Sequence, residues 1–186
     1  MALRTSLVVL VCAAVLLSCA TAPPSRNDVV GTWRMISAQT ERNGHVEPAY
    51  GEKPNGMLVF TTDMRYVEVL TDSSVPPFAS PVRGEGTDQE NRAAMAGSIG
   101  MFGTYTVDGD GRFSGNRVEG ATFPNWVGDI RTTEDLRIVV EGDRMTENFT
   151  RPDGTRITIT FERVKGTASP VLGLRLPAST STELET

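Results

Sequence analysis

The sequence predicts an all-β fold, an eight-stranded antiparallel up-and-down barrel with one short helix inserted between strands 3 and 4. Two observations carry this prediction. Short runs rich in β-branched and aromatic residues alternate with turn sequences, and apolar residues recur at every second position within the runs. Successive strands of this kind close into a barrel because closure removes the exposed sheet edges. The eight runs are residues 33–42, 57–61, 66–71, 102–107, 112–121, 130–140, 145–150 and 155–164.

The connections between these runs are typical of hairpin turns. Asp108-Gly109-Asp110-Gly111, Gly142-Asp143 and Asp153-Gly154 separate neighbouring runs, and Gly and Asp suit turns that need a positive φ. The first of these sequences also hints at calcium, but it lacks the later ligands and the bidentate Glu of an EF-hand loop. We therefore interpret it as a turn.

Alternation within the last run assigns the two faces of its strand. Ile157, Ile159 and Phe161 share one face with Arg163, and the intervening polar residues share the other. The apolar face is expected to point into the barrel, which places Arg163 at one inner end. The same alternation predicts inward positions for Leu136, Ile138 and Val140.

One segment departs from the β pattern. Thr87 followed by Glu90 is a capping-box sequence, and the Ala-rich stretch 93–96 with Ile99 continues it as a helix that ends between Gly97 and Gly103. Two placements remain open for this helix. It either lies across a barrel mouth as a lid or plug, or packs against the outside wall.

The N-terminus predicts export. Arg4 precedes an unbroken apolar run, residues 7–17, which is too short to span a bilayer and typical of a signal peptide. Leu16-Leu17-Ser18-Cys19 resembles a bacterial lipobox, in which the Cys becomes the lipidated N-terminus. Cys12 lies in the segment to be removed, so Cys19 would be an unpaired thiol that lipidation explains. Plain cleavage after Ala20 or Ala22 is the alternative.

These features define four segments: a signal peptide with lipobox (1–18), a tether (19–29), the barrel (30–164) and a disordered tail (165–186). We expect the protein to be lipid-anchored in the bacterial cell envelope, facing the periplasm, with a soluble secreted form as the alternative. The formal net charge is −5 and Lys and Arg do not cluster, which argues against nucleic acid as a partner. The oligomeric state is left open.

Several segments together resemble a known family. Gly31-Thr32-Trp33 near the start and Arg163 near the end are similar to the signature of lipocalin and calycin barrels, in which the Trp closes one end and the Arg packs across its ring. The matching segments resemble the bacterial and fungal lipocalin-like domain family, which implies a single barrel without an assigned general activity. Where that family often carries a His pair, this chain has Asn116 and Arg117. The segments are Pro54-Asn55-Gly56, Phe78-Ala79-Ser80, 103–107, Val118-Glu119-Gly120 and 123–128.

The sequence excludes several kinds of catalytic site. His45 is the single histidine, so a Ser-His-Asp triad, a Cys-His dyad or a His-rich metal site is not expected. No P-loop or dinucleotide-binding fingerprint is present, and we predict neither a cofactor nor a metal.

The candidate ligand-binding residues are polar or aromatic side chains in or near the matched segments. Each has a structural alternative: a turn role for Asn125, a core or rim position for Trp126, a wall ion pair with an Arg for Glu119. The candidates are Tyr105, Asn116, Glu119, Asn125, Trp126, Tyr50 and Arg83.

Three functional hypotheses follow. The first is a membrane-tethered binding protein that holds a small hydrophobic or amphipathic molecule inside the barrel. The second is an isomerase or cyclase on the same barrel, with Glu119 or Tyr105 as proton donor or acceptor. The third is a filled barrel with a structural or interaction role, because an eight-stranded barrel is either just full or holds one ligand. No clustered acid–base pair is evident in the sequence, so binding is preferred over catalysis.

Overall fold

A computed structural model describes residues 26–166 of the chain. Ten strands and one short helix make up a nearly closed antiparallel barrel, which confirms the predicted fold class. The elements are β1 (Gly31–Arg42), β2 (His45–Pro48), β3 (Pro54–Phe60), β4 (Arg65–Asp72), α1 (Asp88–Ala96), β5 (Ser98–Val107), β6 (Phe113–Ala121), β7 (Ile130–Thr132), β8 (Leu136–Glu141), β9 (Arg144–Thr150) and β10 (Arg156–Arg163).

The strands are ordered β7-β6-β5-β4-β3-β1-β10-β9-β8 around the barrel, and β2 pairs with the far end of β1. Every pair is antiparallel, and strands that follow one another mostly lie side by side, as expected of an up-and-down barrel. Within the described chain β7 and β8 approach each other without pairing. This unpaired junction is the seam of the barrel.

The predicted strand number of eight is wrong, for two local reasons. Residues 130–140 form two strands because the Asp135 carboxylate accepts hydrogen bonds from the Thr132 amide (2.9 Å) and hydroxyl (3.1 Å), which turns the chain. The strand β2 is additional. It folds back on β1 through Asn43 and Gly44, whose φ angles of 52° and 79° form a tight turn.

The capping box predicted the start of α1 correctly. The Thr87 hydroxyl accepts from the Glu90 amide at 3.3 Å, and the Glu90 carboxylate accepts from the Thr87 amide at 2.7 Å. The helix ends at Ala96, and Ile99 belongs to β5 instead. Since none of the nine helical residues is buried, α1 does not plug the barrel.

The inward faces follow the predicted alternation. Ile157, Ile159 and Phe161 are buried, as are Leu136 and Ile138. Four aromatic rings pack together at one end of the barrel. The ring centres of Tyr66, Tyr105 and Phe113 lie 4.8–6.3 Å from that of Phe60. Aromatic side chains therefore fill this end.

Trp33 and Arg163 close the same end. The Arg163 guanidinium carbon lies 3.9 Å from the centre of the fully buried Trp33 ring, and the guanidinium donates to the carbonyls of Val30 and Asp28. Gly31 has a φ of 137°, and a Cβ there would stand 2.6 Å from Arg163 Nη1. Glycine is therefore required at this position both by the backbone conformation and by the contact.

The packed chain begins at Asn27, three residues before the predicted barrel boundary at residue 30. Asn27 Nδ2 donates to the Tyr105 hydroxyl at 2.9 Å, Trp33 Nε1 donates to the Val29 carbonyl at 2.8 Å, and Val29 is buried. The predicted signal peptide, Cys19 and residues 167–186 of the predicted tail lie outside the described residues. Between residues 26 and 166, no helix has the length and apolarity needed to cross a membrane.

We predict that Arg163→Ala lowers the free energy of unfolding by about 2–4 kcal/mol, because it removes the stacking on Trp33 and two charge-assisted hydrogen bonds. Arg156→Ala is a matched control. Arg156 forms an exposed ion pair with Glu41 at 2.6 Å, and such pairs contribute about 0–1 kcal/mol. Urea denaturation of both variants measures the difference. Equal losses would show that Arg163 has no special role in closing the barrel.

Candidate functional site

Two glutamates lie inside the barrel. Along β4 the side chains of Tyr66, Glu68 and Leu70 alternate inward, while the intervening valines are about half exposed on the outer wall. Along β9 the same alternation places Glu147 on the inner face beside Met145. Glu68 is 2% exposed and Glu147 is 3% exposed, so strand geometry forces both carboxyl groups out of water.

The two carboxyl groups come from different parts of the wall. β4 and β9 are separated by β3, β1 and β10 in the sheet order, so Glu68 and Glu147 reach into the interior from well-separated strands. There the two carboxyl groups lie close enough to share a hydrogen bond. Their strand neighbours are apolar: Leu58 and Met101 flank Glu68, and Ile138 and Ile159 flank Glu147. The pair is therefore a polar contact inside an apolar wall.

This environment raises both pKa values. Burial raises the pKa of Glu68 well above its ordinary value, and the Glu147 carboxyl raises it further. Burial also raises the pKa of Glu147, to about 7, opposed by the hydrogen bond from Glu68 and by the charge of Arg131. Near neutral pH the pair of carboxyl groups therefore holds a shared proton.

Arg131 supplies a positive charge close to the two buried carboxyl groups. It lies opposite Asn116 in the β6–β7 pairing, and its side chain is 18% exposed. The guanidinium carbon lies 5.0 Å from the centre of the Trp126 ring, and Nη1 contacts the Met101 sulfur at 3.8 Å. Its positive charge lowers the pKa of both glutamates. Arg131 therefore partly offsets the unfavourable burial of the two carboxyl groups.

Four buried polar atoms in this region have no hydrogen-bond partner among the residues described: Glu68 Oε1, Glu147 Oε2, Tyr66 Oη and Asn116 Oδ1. Such atoms are unusual, since a buried polar group without a partner is unfavourable by about 1–3 kcal/mol. Tyr50, between β2 and β3, is close enough that both glutamates, together with burial, raise its pKa. We call the set the interior polar cluster: Glu68, Glu147, Arg131, Tyr50, Tyr66 and Asn116.

A cavity of about 580 Å³ opens along the seam. Its apolar lining comes from Phe113 at the start of β6 and from Ile138 to Val140 of β8, with Arg112 and Arg137 among its polar residues. Neither glutamate lines it. Ile138, however, is the direct strand partner of Glu147, so the cavity borders the part of the wall that carries Glu147.

Three of the residues predicted from the sequence lie at or near this cluster. Asn116 is buried, with its carbonyl oxygen unpartnered among the described residues. Tyr50 is half-buried, as is Trp126, which packs edge-on against Phe123 with ring centres 5.4 Å apart and carries Arg131 on its face. The structure therefore brings Tyr50, Asn116 and Trp126 towards one region, around Arg131 and the glutamates.

The other four predicted residues lie elsewhere. Tyr105 is at the closed end, where its hydroxyl donates to the Thr61 carbonyl at 2.7 Å. Glu119 is on the outer wall and pairs with Arg65 at 3.1 Å, which is the structural alternative considered for it. The remaining two are exposed: Asn125 lies in a single 3₁₀ turn, Pro124–Trp126, and Arg83 lies in a loop.

Sequence reasoning missed Glu68, Glu147 and Arg131. The alternation that placed Ile159 and Ile138 inward also places Glu68 between Tyr66 and Leu70, and Glu147 beside Met145, on inward faces. That alternation was the available signal. Nothing local indicated that the two carboxyl groups would meet, because their contact depends on closure of the barrel.

The pair alone is a poor site for a divalent metal. No cluster of three or more His, Cys, Asp or Glu side chains that could hold a metal ion occurs in the described part of the chain. Divalent cations such as calcium take six to eight oxygen ligands, and two carboxyl groups supply only part of such a set.

We predict that stability falls as the pH rises from about 5 to about 8. A carboxyl whose pKa is higher in the folded chain than in the unfolded chain contributes stability that is fully present below its unfolded pKa of about 4.3. This stability is lost progressively as the pH rises from the unfolded pKa to the folded pKa. Each such proton contributes a slope of up to about 1.4 kcal/mol per pH unit. Urea denaturation at a series of pH values measures this slope.

Glu68→Gln should reduce the slope, because glutamine keeps the shape of the protonated acid but does not titrate. Glu90→Gln is the control. Hydrogen bonds from the backbone of Ala79 and Thr87 lower the pKa of Glu90, so its titration lies below this pH range. A Glu68→Gln protein with the wild-type slope would contradict the assignment of raised pKa values to the pair.

Comparisons with known proteins agree with this fold. A family profile described as a lipocalin-like domain matches residues 30–161. Among solved structures, the chain is similar to a redesigned beta barrel, with 12% identity, coverage of 74% of this chain and 92% of that chain, and a TM-score of 0.36, too low to carry an argument. No curated protein sequence matches the chain. Since the profile covers most of the chain and nearly all of the barrel, the chain belongs to the lipocalin-like domain family.

Proposed function

We propose that the barrel binds a small amphipathic molecule in its interior. The observation that carries this proposal is the interior polar cluster, in which buried oxygens of Glu68 and Glu147 keep unused hydrogen-bonding capacity inside an apolar wall. Small-molecule sites are typically apolar with a few polar groups that orient the ligand. A polar group of the ligand would satisfy these oxygens, and its apolar part would contact the surrounding wall.

The ligand would enter at the end of the barrel opposite Trp33. The Trp33 end is filled by aromatic rings and covered by Arg163. Partly buried apolar side chains lie at the opposite end, near the C-terminus of β9, before the N-terminus of β3 and after the C-terminus of β6. They are suited to contact the apolar part of an entering ligand, and they include Phe149, Ala49, Tyr50 and Trp126.

We further propose that a lipid on Cys19 holds this barrel at a membrane surface of the bacterial envelope. The support is the lipobox sequence before Cys19 and the short segment between that residue and the packed chain at Asn27. Each methylene of an acyl chain that is buried in the membrane contributes about 0.8 kcal/mol of binding free energy, so several chains would anchor the domain. A membrane also concentrates amphipathic molecules near the barrel.

A second candidate function is proton-transfer catalysis on the same bound molecule. It is favoured by the carboxyl pair, whose raised pKa values let it hold a shared proton near neutral pH. These residues would take the acid and base roles that the sequence suggested for Tyr105 and Glu119. Incubating a recovered ligand with the protein in D₂O tests it, since reversible proton transfer at carbon adds deuterium mass and binding alone does not.

We predict that the protein purified gently from its own envelope carries a discrete additional mass in native mass spectrometry, lost on organic extraction. Added ligand should also change the fluorescence of Trp126 at the open end, because Trp33 lies fully buried at the closed end. Trp126→Phe should retain the added mass and lose the fluorescence response. A protein that carries no added mass and takes up no fatty acid, fatty alcohol or alkylamine would contradict the proposal.

For the anchor, we predict that Cys19→Ser moves the full-length protein from the membrane fraction to the soluble fraction of a bacterial host. Cys12→Ser is the matched control, because Cys12 lies in the segment predicted to be removed. Mass spectrometry of the mature N-terminus identifies the acyl group directly. Fractionation that is the same for both variants would instead support the soluble secreted form.

A further inference from the structure

We propose that the Glu68–Glu147 pair is the binding site for the ammonium head of a cationic amphipathic ligand. This inference rests on the proposed binding function and names the chemical class of its ligand. Its basis is the geometry and the charge of the interior polar cluster.

The hydrogen-bonding groups of the cluster require donors from the ligand. Glu68 Oε1 and Glu147 Oε2 are acceptors without a partner in the described chain, and the same holds for Asn116 Oδ1. When ionised, a carboxylate only accepts hydrogen bonds, whereas a primary ammonium offers three donors and no acceptor. An ammonium beside the two carboxyl groups would therefore donate to the unpartnered oxygens of both.

The charge of the cluster also favours a single positive charge. Two ionised carboxyl groups against one Arg131 guanidinium leave one excess negative charge in a buried, apolar setting. In the unliganded protein a proton shared by the pair neutralises this excess, and a monovalent cation would replace that proton. A carboxylate or phosphate head would instead add negative charge beside Glu68 and Glu147, which is unfavourable at low dielectric.

Arg131 is a weaker site for an anionic ligand than its charge suggests. Its guanidinium already lies over the Trp126 ring at 5.0 Å, with Asp129 at 4.0 Å, and its charge acts on both buried glutamates. An anion would have to compete with carboxyl groups that are permanently present. The cluster therefore discriminates between head groups by the sign of their charge.

Proton replacement makes the binding depend on pH. The groups that face the pair are Arg131, Tyr50 and Tyr66, with Arg151 acting on Tyr50 and Glu119 acting on Tyr66. Burial raises the pKa of both tyrosines, which keeps them neutral, and arginine remains charged in proteins. Ammonium binding should therefore release about one proton from the carboxyl pair, and its affinity should rise up to about tenfold per pH unit until the pair ionises without ligand.

Isothermal titration of the barrel with octylammonium, octanol and octanoate, all below their micelle concentrations, tests the inference. At about pH 7 octylammonium should bind at least about tenfold more tightly than octanoate. Its affinity should rise between about pH 5.5 and about pH 7.5, while that of octanol should stay nearly constant. Titrations in two buffers of different ionisation enthalpy measure the released proton directly.

Glu68→Gln and Glu147→Gln should abolish the preference for the cation and the proton release. Glu162→Gln, whose exposed carboxylate pairs with Arg34 on the outer wall, should bind like the wild type. If the interior variants do not fold, the proton release of the wild-type protein remains decisive. Octanoate binding as tight as octylammonium, or cation binding without proton release, would overturn this inference and leave the binding function intact. Failure of all three probes to bind would count against the binding function itself.

Discussion

The contact between Arg163 and Trp33 is the interaction on which the barrel depends. It joins the last strand to the first, and β1 also pairs with β3, so the ring and the guanidinium lie where both halves of the barrel meet. The guanidinium also holds the carbonyls of Val30 and Asp28, which fixes the chain that enters β1. This end of the described barrel is therefore sealed, and the sheet is left unpaired at the seam between β7 and β8.

The interior polar cluster is not explained by stability. Replacing buried charged pairs with apolar residues of similar volume is often neutral or stabilising, so an apolar barrel would have no need of Glu68 and Glu147. Residues that keep an unfavourable buried charge are commonly retained for function. The barrel therefore combines a well-packed closed end with buried polar atoms that have no hydrogen-bond partner among the described residues.

The interior polar cluster supplies a pair of titratable groups that either binding or catalysis could use. The sequence showed no paired acid and base, which favoured binding; the structure brings two carboxyl groups into contact around a shared proton. Both proposed roles, cation binding and proton transfer, depend on this carboxyl pair, and they differ in whether covalent bonds of the ligand change. Glu119 does not offer that chemistry, because its carboxylate is on the outer wall beside Arg65.

The sequence by itself determined the β class, the inward faces of β8 and β10, the start of the helix and the residues that close the barrel. These features follow from local alternation, from the capping box at Thr87 and from two side chains, Trp33 and Arg163, at matching ends of the first and last strands. The local turn at Thr132 and Asp135 divides residues 130–140, and tertiary structure decided that β7 and β8 pair with different neighbours. Tertiary structure also decided the meeting of Glu68, Glu147 and Arg131, because side chains from β4, β9 and β7 approach one another only when the sheet curls into a barrel.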